Sequence, residues 1–412
     1  MELKIKIKKT PNKLSDLKGA LNRFKTALDQ IKAVLVDKDT EVDALALCLL
    51  TREHLLLDGL HGTAKSRLAD ELFLRVEGAK VFSIQLMKGT QIDELFGPLN
   101  SVKYREKAEW ERNVTNMLPD VHFAFLDEVY RASDMLLPSM MKVLNERMYV
   151  NGLNLVHCPL VTAVATCNFV TENPELDAIH DRWMCQVKVK PLDKSAQRIR
   201  MLGLEYARRR QMEEVVEPAK FSLADLQKLQ YAVNRIEVPM MGLQMFEEIV
   251  QDFRRRMNNV YISDRRLCKA LVFAMANFLL AAPDAVIQRE EMTMDSLIAS
   301  QFGIIKMNEG AHIAAFTEAY EQVVGAWEIQ RREEEEITTL EAATESLVGQ
   351  FDPKMSLKEA RELRDNVETV LGGINNMPSE RKPQQMKNQN RLQQTVSSLQ
   401  SLAGSLNAMK GI

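Results

Sequence analysis

The stretch His54–Phe73, HLLLDGLHGTAKSRLADELF, decides how the chain is read. An apolar run leads into a glycine-containing turn and then into helix-forming residues. Gly59, Gly62, Lys65 and Ser66 fall close to the spacing G-x-x-x-x-G-K-[ST]. In that pattern backbone N–H groups wrap phosphate oxygens, a lysine neutralises their charge and a hydroxyl holds Mg²⁺. Ala64 stands where the second glycine belongs, so the strict motif is not met and the surroundings must carry the assignment. They do so through a strand before the turn and a helix N-terminus after it, whose partial positive charge favours an anion. The expected nucleotide cradle is Gly59, His61, Gly62, Thr63, Ala64, Lys65, Ser66 and Arg67.

Downstream come four further apolar runs: VFSIQL (Val81–Leu86), VHFAFLDE (Val121–Glu128), LVTAVATCN (Leu160–Asn168) and CQVKVK (Cys185–Lys190). Five runs separated by helical segments, all but the last lacking strict alternation, predict a mainly parallel sheet covered on both faces, an α/β nucleotide-binding architecture. A glycine- and proline-marked insertion, MKGTQIDELFGPLN, follows the second run. Asn151-Gly152 between two short apolar arms predicts a β-hairpin just before the fourth.

Upstream of the cradle, Leu17, Leu21, Phe24, Leu28, Ile31 and Val34 recur at helical spacing, and Asp39 and Thr40 can cap a second helix. Residues 1–16 read as a mobile basic arm. Beyond Pro191 the segments read as helices only, with Ser263-Asp264 as a helix start. The resulting division is an arm over 1–16, a nucleotide-binding domain over 17–191, a helical lid over 192–307 and a helical extension over 308–412. In that extension Ala360, Leu363, Val367 and Val370, then Leu392, Leu399, Leu402, Leu406 and Met409, predict an antiparallel α-hairpin or coiled coil broken at Gly372, Gly373 and Pro378.

Asp127 and Glu128 end the buried third run, at the C-terminal edge where α/β sheets place ligands. In a phosphoryl-transfer site the first acts on Mg²⁺ and the second polarises an attacking water. Asn168 ends the next run and would aim an amide at that water. Arg182, in HDRW, is a candidate to reach the γ-phosphate held by a neighbouring subunit. From the start of the lid helix, Arg265 or Arg266 could touch the same nucleotide in cis.

Composition narrows the class further. A net charge of -3 leaves no global nucleic-acid footprint, and the longest apolar run, Leu271–Ala282, is too short to span a bilayer. The basic N-terminus has no apolar core of a secretory signal, so a cytoplasmic location is expected. Five widely spaced cysteines with no C-x-x-C pair read as reduced core residues.

Together GLHGTAKS, ELFGPL, FLDEVYRASDMLLPSMMKVLNER, Gly152, ATCN, the DRW arginine and SDRR resemble the MoxR group of AAA+ ATPases, and more closely its RavA-like branch. Members commonly carry Ala or Gly before the phosphate-binding lysine, and usually proline where this chain has His61. The resemblance implies an AAA+ αβα sandwich with a helical lid, and ATP with Mg²⁺ as cofactors. Lys65, Ser66 and Asp127 would hold nucleotide and metal, Glu128 would be the catalytic carboxylate, and Asn168 sensor 1. Arg182 would be the finger acting across the interface, and Arg265 sensor 2. It further implies a homo-hexameric ring with the hairpin and the Gly89–Gly97 insertion at its working surface. The function implied is ATP-driven remodelling or chaperoning of a protein client with a von Willebrand factor A domain partner. A nucleic-acid motor is the alternative kept by Lys4–Lys13, Arg208–Arg210 and Arg254–Arg256, although these arginines read as solvated helix faces. An ATP-binding scaffold is a third reading, opposed by the intact Lys65, Asp127, Glu128 and Arg182.

Overall fold

A computed structural model describes residues 14–133, 136–168, 180–210, 217–306 and 310–350, and in the C-terminal part 352, 354, 356–376, 389–398, 400 and 401. Of the arm expected over 1–16, residues 1–13 lie outside the described residues, as do Leu399, Leu402, Leu406 and Met409, whereas 14–16 already belong to the first helix. The chain divides into two compact units, Met1–Glu321 and Gln322–Ile412.

Five strands build the sheet of the first unit: β1 (Leu55–Asp58), β2 (Val81–Gln85), β3 (Phe123–Asp127), β4 (Thr162–Cys167) and β5 (Cys185–Lys188). Their order is β2-β3-β4-β1-β5 and every pairing is parallel. All residues of β1 and β4 are buried, which is why these runs are continuously apolar. At the edge, β2 alternates exposed and half-buried positions instead. Because β1 lies between β4 and β5, the chain leaving β1 emerges beside the end of β4, with the end of β3 next beyond it, at the carboxyl edge where open α/β sheets bind ligands.

Helices α1 (Leu14–Val34) and α2 (Asp39–Thr51) precede β1, and α3 (Lys65–Phe73) follows the turn. Asp39 and Thr40 do not cap α2: both are already helical, and Lys38 is the cap residue, with no side-chain bond. Asp39 and Glu41 instead place negative charge in the first turn, which the helix dipole favours. After α4 (Leu136–Glu146) comes the hairpin, Met148–Asn151 paired antiparallel with Asn154–His157. Its turn is Gly152-Leu153, one residue later than expected, because Asn151 is a strand residue tied to Arg112, in the segment that follows the insertion. The Asn151 amide accepts the Arg112 backbone N–H at 2.7 Å and donates to the Arg112 carbonyl at 3.0 Å. Gly152 has φ +62°, and a Cβ there would lie 2.8 Å from the Trp110 carbonyl oxygen. Phe96 of the insertion stacks on Tyr149 of the hairpin, centroids 4.9 Å apart.

The longer helices that follow are α5 (Ser195–Arg209), α6 (Leu223–Val233), α7 (Met240–Arg256) and α8 (Asp264–Ala281). The segment is not purely helical, since Phe221–Ser222 pairs in parallel with Val76–Glu77. That bridge brings Phe221 edge-on against Phe24 of α1, centroids 5.1 Å apart, and burying each ring is worth about 1.5–3 kcal/mol. Beside it Arg23 reaches Asp225 at 2.7 Å and 3.0 Å, joining α1 to α6. Four cysteines are buried as expected, but Cys268 is exposed because it falls on the outer face of α8.

The second unit contains the end of the long helix α9 (Gly310–Gly349), α10 (Leu357–Asn376) and helical residues 389–398. Leu347, Leu363, Val367 and Leu392 bury together, with Val370 and Val396 packed against them. Three described helical segments therefore share the seam, where the sequence pattern predicts two.

Candidate active site

The cradle is built at the end of β1. The Gly59 N–H donates to the Cys167 carbonyl at 3.1 Å, and the Val189 N–H donates to the Asp58 carbonyl at 2.6 Å. A Cβ at Gly59 would sit 2.4 Å from the Val189 carbonyl oxygen, so β5 itself demands glycine. Thr63 Oγ1 closes the turn on the Leu60 carbonyl at 2.8 Å. Gly62 has φ +76°, and Ala64 adopts φ +66°, the left-handed conformation that the missing glycine would supply. For an L-residue that conformation costs on the order of 1–2 kcal/mol. Helix α3 starts at Lys65 with no side-chain cap, so its first-turn N–H groups lack intrahelical acceptors and, with the dipole, suit a phosphate.

Lys65 is buried. Its Nζ donates to the Cys167 carbonyl at 2.9 Å, to Asn168 Oδ1 at 3.0 Å and to the Gly59 carbonyl. Burial pulls its pKa down, against the opposing influence of Cys167, Glu128, Asp58 and Asp127. Asn168 in turn donates from Nδ2 to Glu128 Oε1. A continuous chain of polar contacts therefore runs from the cradle lysine to the carboxylate at the end of β3. Glu128 is also buried, in the left-handed region at φ +57°, with its N–H donating to Thr166 Oγ1 at 3.1 Å. The Thr166 hydroxyl donates to Asp127 Oδ1, so one β4 side chain orients both members of the acidic pair. Arg131 Nε stands 3.3 Å from Glu128 Oε2, and His61 Nδ1 3.9 Å from Oε1.

The sequence-predicted residues thus divide. Lys65, Asn168, Asp127 and Glu128 come together, with exposed Ser66 in the first turn of α3. Arg67 is turned toward Glu71, at 3.9 Å. Arg182 is half-buried in the turn before β5. Arg265 is exposed at the start of α8, whereas Arg266 is fully buried and donates to main-chain carbonyls, which removes it as a nucleotide contact. Thr166 and Arg131 escaped sequence reasoning; the only signal was a hydroxyl inside an apolar strand and a cation three residues after the acidic pair. Among the described residues no group of three or more His, Cys, Asp or Glu is placed to hold a metal. One carboxylate with a helix-start hydroxyl fits Mg²⁺, which keeps several waters and takes further ligands from a substrate's phosphates.

The model for the MoxR domain of the MoxR-vWA-beta-propeller ternary systems matches residues 22–231, just over half of the chain. The chain belongs to the MoxR family. An uncharacterised protein of Methanocaldococcus jannaschii is 26% identical over 256 residues, covering 61% of this chain and 63% of its own length. The chaperone MoxR1 of Mycobacterium tuberculosis is 26% identical over 184 residues, 43% of this chain and 47% of that protein. This MoxR chain therefore spans less than two thirds of the length of such relatives. A crystal structure of a candidate ATPase from Cytophaga hutchinsonii superposes with a TM-score of 0.57 at 17% identity, covering 75% of this chain and 96% of that one. That likeness speaks for the fold, an α/β AAA+ core with a helical C-terminal part. The family and the fold thus agree on a MoxR-type AAA+ chain.

Proposed function

We propose that the chain hydrolyses ATP to ADP and phosphate at the subunit interfaces of a homo-hexameric ring and uses the energy to remodel or chaperone a protein client. The observation that carries this reading is the contact chain Lys65–Asn168–Glu128, with Asp127 beside it, at the adjoining ends of β1, β3 and β4. The N–H groups at the start of α3 and the Lys65 ammonium bind the phosphates, exchanging the Gly59 and Cys167 carbonyls for phosphate oxygens. Ser66 and Asp127 are the residues that would hold Mg²⁺. When bound, Mg²⁺ neutralises charge on the β- and γ-oxygens. Glu128 accepts the proton of the attacking water and Asn168 orients that water, while Arg182 from the adjacent subunit meets the charge developing on the γ-phosphoryl group. Arg265 contacts the nucleotide from its own subunit's lid. The arrangement needs head-to-tail contacts, which close into a ring.

A von Willebrand factor A domain protein is the proposed partner, supported by the three-component systems after which the matching family model is named. No described helix is long and apolar enough to cross a membrane. The test combines phosphate release with light scattering under ATP. Arg182→Ala should keep ATP binding and ring mass and lose turnover by roughly 10³-fold or more. Unchanged turnover would remove the interface mechanism. ATPase stimulation by a von Willebrand factor A protein from the same locus tests the partner.

A further inference from the structure

The residues around Arg182 are held by the lid. Arg266, with no exposed surface, donates from Nη2 to the Met184 carbonyl at 2.8 Å and from Nη1 to the Trp183 and Asp181 carbonyls at 3.3 and 3.4 Å. The Asp181 carboxylate accepts the Ser263 hydroxyl at 3.0 Å and stands 3.2 Å from Lys306 Nζ. Trp183 is buried edge-on against His54, centroids 6.0 Å apart. Met184 is equally confined: a Cβ on Gly303 would come within 3.0 Å of its Cε. So residues 181, 183 and 184 are fixed, and half-buried Arg182 projects from between them.

The groups that fix them belong to one place in the lid. Ser263 is the N-cap of α8 and accepts the Arg266 N–H at 3.4 Å. Arg265, the proposed nucleotide contact in cis, lies between Ser263 and Arg266 in the same turn. Two adjacent arginines therefore face opposite ways, Arg265 to the outside and Arg266 into the Arg182 segment. A buried guanidinium is costly unless its donors are met, and both Nη atoms of Arg266 find carbonyls, spread along the segment as its planar fork allows.

We propose that Arg266, Asp181 and Ser263 form a clamp that makes the start of α8 and the Arg182 segment one rigid piece, so that nucleotide contact at Arg265 sets where Arg182 stands in the neighbouring subunit's site. These are positioning residues, and the inference rests on reading Arg182 as the arginine that acts in trans. The clamp transmits the state of one site to the next through a single turn of helix.

The test uses full-length rings. Asp181→Asn and Ser263→Ala should melt near the parent temperature and bind a fluorescent ATP analogue with parent affinity. Their turnover should fall roughly 10–100-fold, the expected penalty for misplacing a transition-state contact by about an ångström. Mixing either variant with Glu128→Gln subunits should restore activity above the sum of the separate rings, because each variant pocket then meets an undisturbed Arg182. Arg266→Lys should behave like Asp181→Asn, since an ammonium lacks the two separated Nη groups that reach the Asp181, Trp183 and Met184 carbonyls. If Arg182→Ala is inactive while Asp181→Asn and Ser263→Ala turn over at the parent rate, the clamp is wrong and the interface mechanism stands. If Asp181→Asn weakens nucleotide binding, or mixing restores nothing, the contact acts within its own subunit and the coupling is refuted. If Arg182→Ala itself retains turnover, the interface mechanism and the clamp fall together.

Discussion

Replacing Glu128 by Gln separates hydrolysis from binding more cleanly than any other change at the site. The side chain keeps its size, the residue at φ +57° is not glycine before or after, and the Gln oxygen can still accept from Asn168 Nδ2. What disappears is the proton acceptor. A positioned general base contributes roughly 10²–10⁴-fold, equivalent to about 3–5 kcal/mol of barrier. The interaction at 3.3 Å with Arg131 also loses its charge, but Arg131 is more than half exposed, so that loss is small. Binding should survive, because Lys65 and the open N–H groups at the start of α3 are untouched and one negative charge near the phosphate position is gone. Turnover is read from phosphate release at saturating ATP, and affinity from equilibrium binding of a fluorescent analogue. Parent-rate hydrolysis would show that Glu128 is not the base. Loss of binding would place it in the cradle rather than at the reacting water.

Two other changes test the scaffold. Asp225, gripped by Arg23, has its pKa lowered to about 2. Its contribution is complete above the ordinary carboxylate range and fades as pH falls toward that value; half-exposed Arg23 limits it to about 1–2 kcal/mol. Denaturant unfolding of Asp225→Asn should therefore be less stable than the parent at pH 7, with the gap narrowing below pH ~4, and a gap that widens in acid would refute the pairing. Asn151→Ala removes both bonds to Arg112 and should lower stability by about 1–3 kcal/mol while exposing residues 148–157 to protease. Unchanged protection would mean that the hairpin does not depend on Arg112 for its register.

How much of this could be read from residues alone depends on the range of the interactions. The strands β1, β3 and β4 were legible because burial on both faces makes a run continuously apolar, a property each segment carries by itself, whereas edge strand β2 has no fully buried residue. The hairpin was legible but its turn was displaced by one, since Asn151 is held in the strand by Arg112, 39 positions away. Arg265 and Arg266 look alike in a sequence; helix phase and the carbonyls at 181–184 separate them. Thr166 looks like any β-branched strand residue, and only the pairing of β3 with β4 brings its hydroxyl to Asp127 and to the Glu128 N–H.

Ala64 and Glu128 share a property that connects these local and distant effects. Each is the residue before a helical turn, Ala64 before α3 and Glu128 before the turn Val129–Arg131, and each has left-handed backbone and no side-chain cap. Cap residues at helix starts ordinarily lie in the extended region and spend their side chain on the first-turn N–H groups. Left-handed residues elsewhere in the chain, such as Arg52, Ala108 and Arg289, end helices, where that conformation is common. At Ala64 the unusual cap leaves the first turn of α3 open to an anion. At Glu128 it frees the carboxylate to meet Asn168 rather than its own backbone, and the Thr166 hydroxyl helps offset the strain by accepting the Glu128 N–H. Local propensity argues against both conformations, yet these two residues are the ones that open the phosphate cradle and aim the base.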